Sequence, residues 1–367
     1  MKVLYDHQIF TSQTYGGISR YFVELMKNFE NDDGIDYDLP LRYSNNHYLN
    51  KYNDLKYKPF LKNFNFRGKD RLINILNKNI SKKLLIKGDY DIFHPTYYDP
   101  YFLNILNNKP FVLTIYDMIH EIYPEIFSFR DRTAERKKLL VQKATRIIAI
   151  SENTKRDIIR FFGIDENKIE VIYLANSINP SESTDDINID LPKKYILFVG
   201  SRSGYKNFNL FIEAISTLLV EDAELNVVCV GGGNFKEMEK EKFKKLNIVN
   251  KIFQYSVSDN ILAYIYQKAI AFVFPSLYEG FGIPVLESFA SRCPVICSKA
   301  SSLPEVAGDA AIYFNSTDKL SMLDSIQKVI YNEKLRKQLI NKGIERVKEF
   351  TWKKTADKTK KIYEGVL

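Results

Sequence analysis

The stretch Phe274-Pro275-Ser276-Leu277-Tyr278-Glu279-Gly280-Phe281-Gly282-Ile283-Pro284-Val285-Leu286-Glu287 decides how this chain is read. It follows an apolar run at 271–274 that reads as a strand, and Pro284 stands where a first helical turn is expected. Strand, glycine turn and helix in that order belong to an α/β domain. Gly280 and Gly282 let the backbone come close to a ligand. The N–H groups of Phe281, Gly282 and Ile283 then point at an anion on the helix axis. Glu279 precedes the helix and Glu287 lies inside it, where two carboxylates can accept hydrogen bonds from sugar hydroxyls. An acid favoured by the helix dipole accounts for Glu279 alone, not for Glu287 or the Gly-Phe-Gly.

The same alternation extends in both directions. Apolar, β-branched runs at 2–5, 92–94, 111–115 and 146–150 read as strands of a first half. Runs at 195–199, 225–230, 270–274 and 294–297 read as strands of a second half. Several are apolar throughout, as parallel strands covered on both faces are. Helical spacing of apolar residues marks 18–29, 208–219 and 322–330. The stretch 176–190, NSINPSESTDDINID, is poor in large apolar residues and suits a linker. The expected fold is α/β: two Rossmann-like doubly wound domains facing a central cleft. The expected organisation is a first domain at 1–176, a linker at 177–193 and a second domain at 194–350.

Three further loops carry polar groups where such sheets bind ligands. In Phe198-Val199-Gly200-Ser201-Arg202-Ser203-Gly204-Tyr205-Lys206-Asn207 a buried strand ends, Gly200 opens the turn, and Arg202 and Lys206 follow. A guanidinium and an ammonium on one such loop can clamp a diphosphate, although loops also carry solvated Arg and Lys. Tyr15-Gly16-Gly17-Ile18 opens a helix; the glycine pair admits a phosphate or sugar, or is a plain loop-to-helix turn. It lacks the third glycine of a dinucleotide fingerprint. In Thr114-Ile115-Tyr116-Asp117-Met118-Ile119-His120, Asp117 and His120 are candidate substrate contacts at a strand end.

Together these residues resemble the retaining glycosyltransferases of family four, whose architecture is called GT-B. Glu279 and Glu287 look like that family's Glu-x7-Glu pair, Arg202 and Lys206 like its diphosphate-binding pair, and Gly16-Gly17 like its glycine loop. Val257 looks like the residue whose backbone meets the nucleobase. Residues 352–367 look like the closing helix, which by analogy returns to the first domain. Many relatives have histidine where this chain has Tyr116, so His120 takes on interest as a partial substitute. The resemblance implies Arg202, Lys206 and Glu279 as catalytic residues. It implies donor or acceptor contacts from Gly16, Gly17, Tyr116, Asp117, His120, Gly200, Val257, Gly280, Phe281, Gly282, Ile283 and Glu287. It also implies a nucleotide-diphosphate sugar as donor, with a guanine or uracil base, and a glycan or lipid-linked acceptor in bacterial surface-polysaccharide synthesis. Retention of configuration without metal or cofactor follows from the same source. Two other functions compete: a sugar-nucleotide epimerase of the same architecture, and an inactive membrane-associated scaffold.

Composition agrees with a globular protein: 45% hydrophobic and 27% charged residues in 367. The first seven residues lack a signal-peptide apolar region, and no run approaches a spanning helix, so a cytoplasmic location is expected. Three cysteines and four histidines show no zinc spacing. Asp36-Tyr37-Asp38 and Asp89-Tyr90-Asp91 have the spacing of a metal-binding pair but lie in polar stretches or at strand beginnings, and read as coincidence. Segment 51–87 holds eleven basic residues against two acids, an excess larger than the whole chain's net charge of +8. It is either a solvated face or a docking surface for an anionic membrane, with no motif for nucleic acid. Within it 69–86 reads as an amphipathic helix with Leu72, Ile73, Leu76, Ile80 and Leu84 on its apolar face, which packs on the first domain or lies on lipid.

Overall fold

The computed structural model describes residues 1–30, 32–51, 57–61, 64, 66–178, 180, 188–202 and 204–367. The linker at 177–193 lies outside these residues at 179 and 181–187, and the basic segment does so at 52–56, 62, 63 and 65. The chain forms two compact units: Met1–Leu174 with Trp352–Leu367, and Ala175–Thr351.

The first unit has strands β1 (Lys2–Tyr5), β2 (Asp36–Asp38), β3 (Ile92–His94), β4 (Val112–Ile115), β5 (Arg146–Ala149) and β6 (Ile169–Val171). They pair in parallel in the orders β2-β1-β3 and β4-β5-β6, with a single parallel bridge from Phe93 to Phe111 between the two sets. Helix α1 (Gln8–Ser12) and helix α2 (Gly17–Phe29) follow β1, and α3 (Lys69–Lys87) packs on α1. The C-terminal helix Trp352–Glu364 is fastened to this unit by polar contacts reaching its core. Tyr363 Oη lies 3.2 Å from Tyr5 Oη and 2.6 Å from His94 Nδ1. Thr355 donates to the Tyr173 carbonyl at 2.7 Å, and Lys360 pairs with Asp32 at 2.6 Å.

The face of α3 differs from expectation. The buried line is Lys69, Ile73, Asn77, Ser81 and Leu85, while Leu72 is exposed and Leu76, Ile80 and Leu84 are half-buried. Hydrogen bonds decide the rotation. Asn77 Oδ1 accepts from the backbone of Arg42 and Tyr43, and its amide donates to Thr11 and the Tyr43 carbonyl. A buried amide with four bonds outweighs the burial of one more leucine. The two Asp-Tyr-Asp stretches are tied to β1: Lys2 pairs with Asp38 at 3.0 Å and Asp89 at 3.3 Å, and its N–H donates to Asp91.

The second unit is one parallel sheet of β7 (Lys194–Val199), β8 (Leu225–Val230), β9 (Ile252–Tyr255), β10 (Ala271–Phe274), β11 (Val295–Ser298) and β12 (Ala311–Phe314), in the order β12-β11-β10-β7-β8-β9. Phe198, Phe208, Phe211, Ile215, Val227 and Val273 are in its core, and helices Phe208–Glu221 and Lys319–Ile330 pack against each other over it. The strand order reverses between β7 and β10, so the turns after these two strands flank the topological switch point, where open α/β sheets bind ligands.

Candidate active site

The turns after β7 and β10 are stitched together. The Leu277 N–H donates to the Tyr205 carbonyl at 2.7 Å, and Asn207 donates to the carbonyls of Pro275 and Ser316. Asn207 adopts a left-handed φ of 56°, which turns the chain into helix Phe208–Glu221. Across this seam Lys206 Nζ lies 2.6 Å from Glu279 Oε1, with both side chains largely buried. Glu279 is itself fixed. Its N–H donates to Ser301 Oγ at 2.8 Å, and Ser302 Oγ lies 2.9 Å from the carbonyls of both Glu279 and Phe281. Gly282 has φ +106°, and a Cβ there would stand 2.8 Å from a Leu303 methyl group. Its conformation starts helix Ile283–Ala290, with Pro284 in the first turn. Phe281 is buried edge-on to Phe350, and Gly280 is buried beside it. Glu287 is buried, with Tyr266 Oη 3.4 Å from its carboxylate. Val257 stands half-buried after β9, at the same edge of the sheet.

Arg202, expected to clamp a diphosphate, is bonded to the turn after β8. Its Nε donates to Glu239 at 2.8 Å, Nη1 to the Gly231 carbonyl at 2.8 Å, and Nη2 to the carbonyls of Gly233 and Asn234 at 2.8 and 3.1 Å. Phe235 covers the guanidinium at 4.7 Å. Gly231, Gly232 and Gly233 all have positive φ, and a Cβ at Gly232 would fall 2.8 Å from Arg202 Nη1. The guanidinium thus shapes the glycine turn after β8. Gly200, with φ +123°, donates its N–H to the Val230 carbonyl beside it.

In the first unit, Gly16 and Gly17 sit at the start of α2. A Cβ at Gly16 would lie 2.2 Å from Gln13 Oε1, which accepts the Ser19 N–H. Tyr116, expected as a substrate contact, is buried at the end of β4. Its ring lies among Tyr21 and Tyr98, and its buried hydroxyl has no hydrogen-bond partner among the described residues. Asp117 is half-buried and accepts the Ile119 N–H at 3.1 Å. His120 stacks on Phe127 at 3.8 Å, and Nε2 lies 3.7 Å from Asp131. Burial and the nearby Lys137 ammonium hold the His120 imidazole below its ordinary pKa.

Several groups at these edges escape a reading of the sequence. Lys137 is fully buried, 2.6 Å from Glu121 Oε2, and donates to the Asp117 carbonyl at 2.9 Å. Burial raises the Glu121 carboxyl pKa despite that pairing. Lys137 lies on the same helical face as the buried Leu140 and Val141, which is the one signal that sets it apart from Lys138. Asp6, buried after β1, accepts from the Thr96 backbone at 2.9 Å, Thr96 Oγ1 at 2.7 Å, Gln8 at 2.8 Å and Tyr101 at 3.1 Å. Ser301 and Ser302 were visible only as a serine pair ahead of Leu303.

Comparison with known proteins accords with this arrangement. Residues 15–177 match the family described as Glycosyltransferase Family 4, and residues 181–346 match Glycosyl transferases group 1. The chain is 32% identical over 226 residues to the O-antigen chain mannosyltransferase RfbU of Salmonella typhimurium, covering 61% of this chain and 62% of that protein. The chain therefore spans less than two thirds of that relative. It is 27% identical over 291 residues to O-antigen chain mannosyltransferase B of Escherichia coli, covering 75% of this chain and 74% of that one. Anabaena HepE, solved in complex with UDP and glucose, superposes with a TM-score of 0.74 at 16% identity, covering 99% of both chains. The fold is GT-B, and the chain belongs to the family-four glycosyltransferases.

Proposed function

We propose that the chain is a retaining hexosyltransferase that moves a sugar from a nucleotide-diphosphate sugar to a glycan or lipid-linked acceptor in bacterial surface-polysaccharide synthesis. The observation that carries this reading is the Lys206–Glu279 pair at the β7/β10 switch point, backed by the N–H groups that open helix Ile283–Ala290. Lys206 and those N–H groups meet the charge that develops on the departing diphosphate. Glu279 accepts hydrogen bonds from the transferred sugar, and Glu287 from the ribose. The acceptor oxygen forms its bond to the anomeric carbon on the face from which the diphosphate leaves. The anomeric C–O bond breaks, and the hydroxyl proton passes to the departing phosphate. Arg202 supports this chemistry by holding the glycine turn after β8.

A cation on the protein at the diphosphate makes a divalent metal dispensable, and turnover undiminished by EDTA tests that. The names of the O-antigen mannosyltransferase relatives support a mannosyl donor and an O-antigen-like acceptor, while the HepE complex supports a uridine donor. Nucleoside diphosphate release from GDP- and UDP-sugars, with the product's anomeric configuration read by NMR, tests the reading. The same reading places the chain in the cytoplasm at the inner membrane face, with the basic segment 51–87 toward anionic lipid. Among the described residues no helix is long and apolar enough to cross a membrane.

A further inference from the structure

Tyr15 stands in the loop between α1 and α2, beyond the carboxyl end of β1 and directly ahead of the glycine pair, and is 63% exposed. A single exposed tyrosine carries no message, but this one is backed by other rings. It lies on the His47 imidazole with centroids 4.7 Å apart and planes 27° from parallel. Tyr48 meets both rings edge-on, at 6.3 and 5.8 Å. Hydrogen bonds hold the stack from behind. The His47 N–H donates to the Thr14 carbonyl at 2.9 Å, and the buried Asn46 amide donates to the Gln13 carbonyl at 2.7 Å. Asn46 Oδ1 in turn accepts the Tyr48 N–H at 3.1 Å. The buried Arg20 guanidinium lies 4.7 Å from the Tyr48 ring centre and donates to its hydroxyl at 2.8 Å. Three rings from two segments are thus fixed in place, and the face of Tyr15 away from His47 stays open.

The surrounding groups decide what covers that face. A glycine pair at a helix start suggests an anion cradle, yet here its groups are engaged within the chain. Gln13 Oε1 accepts the Ser19 N–H at 3.3 Å, and the Gly16 carbonyl accepts the Ser19 hydroxyl and the Arg20 N–H. The Gln13 side chain therefore takes the place of an anion at the start of α2, and Arg20 is turned onto Tyr48. The rim of the open face is polar: the Tyr15 hydroxyl and the His47 ring nitrogens make no hydrogen bond among the described residues. An electron-rich face with hydroxyl and imidazole groups at its rim suits a pyranose, whose C–H bonds rest on the ring while its hydroxyls reach the rim. We propose that Tyr15, backed by His47 and Tyr48, is the stacking platform of a subsite that takes an uncharged hexopyranose ring of the acceptor. Calling that sugar the acceptor rests on the transferase reading above, which assigns the nucleotide to the second unit; the stacking itself does not.

The test uses the full chain with methyl α-D-mannopyranoside, methyl α-D-galactopyranoside and methyl N-acetyl-α-D-glucosaminide as probes, read by saturation-transfer NMR. The proposal predicts transfer to the ring C–H protons of at least one probe, undiminished by salt because no charge is involved. Tyr15→Phe should keep the signal, whereas Tyr15→Leu, apolar but without a ring, should weaken binding about tenfold. His47→Ala, which removes the ring behind Tyr15, should weaken it as well. A signal absent with all three probes, or equal in Tyr15→Leu, overturns the platform. Inorganic phosphate that shifts the Gly17 and Ser19 amide resonances, with no sugar signal, replaces it with an anion site. Titration of the same protein with GDP and UDP separates the two readings. A sugar signal without nucleotide binding keeps the platform and sinks the transferase reading, and nucleotide binding without a sugar signal does the reverse.

Discussion

Lys206 Nζ and Glu279 Oε1 are 2.6 Å apart, so a cation from the end of β7 and a carboxylate from the end of β10 act as one unit at the point where the sheet changes direction. The geometry has two consequences. Each group holds the other in place before a ligand arrives, which lowers the ordering cost of binding. Each also leaves an under-compensated partner when removed.

Lys206→Ala should lower turnover roughly a hundredfold, the usual effect of removing one donor that faces developing charge. It should also destabilise the second unit by about 2 kcal/mol, because Glu279 is left largely buried without its cation. Turnover and urea midpoints of Lys206→Ala, Glu279→Gln and the double variant check this. The double variant should recover most of the lost stability and none of the lost turnover.

Arg202 is predicted to act through the turn that it holds. Arg202→Ala frees the carbonyls of Gly231, Gly233 and Asn234 and leaves Glu239 without its guanidinium, bonded to the Lys236 N–H. A fall in melting temperature together with weaker nucleotide binding is expected. Arg202→Lys should not restore either, since one ammonium cannot reproduce a planar fork. Turnover and nucleotide affinity both lost at unchanged stability would show instead that Arg202 reaches the phosphates itself.

The two glutamates should separate by ligand. Glu287→Gln is expected to weaken binding of the bare nucleoside diphosphate, because a ribose contact forms with or without the sugar. Glu279→Gln should leave that affinity nearly intact and reduce transfer. Calorimetry on both variants decides it, and equal losses of affinity would reverse the assignment.

Acid should loosen the first unit. His94 is buried between Tyr363 and Thr114, and desolvation pushes its imidazole down to about 3. In the unfolded chain the ring titrates near its ordinary value of about 6.5, so between those values the unfolded state holds the extra proton. The stability contributed by keeping it neutral is complete above the unfolded value and declines as pH falls below it, by about 2 kcal/mol at pH 5. Burial shifts His7 and His120 in the same direction. Urea midpoints of the wild type should drop between pH 7 and pH 5, and His94→Gln should show a shallower drop from a lower starting point. An unchanged slope in the variant would exclude His94 as a source.

Much of this architecture was legible because the central strands are largely apolar: β7, β8, β10 and β11 carry runs that suit a doubly covered parallel sheet. The strands that went unread are β2, β6, β9 and β12, at the outer positions of their sheets. β2 is only Asp-Tyr-Asp, held by pairing with β1 rather than by its own pattern. The α3 face was misassigned because apolar spacing cannot see that Asn77 has four buried partners from other segments. Glu279 and Lys206 were legible by their places after strands. Their mutual contact was not, since it depends on β7 lying beside β10 across 73 residues of sequence. Tyr116 entered the site by resemblance, at the position where many relatives have histidine, and no pattern in the sequence shows that its side chain packs among Tyr21 and Tyr98.

Calorimetric titration of the purified chain with GDP and with UDP, repeated on Lys206→Ala, tests the central claim most directly. The account predicts saturable binding of one nucleotide at a single site, weakened at least about tenfold in the variant, as loss of one charge-assisted contact implies. Binding of neither nucleotide, or equal affinity with and without Lys206, would contradict a diphosphate site at the β7/β10 switch.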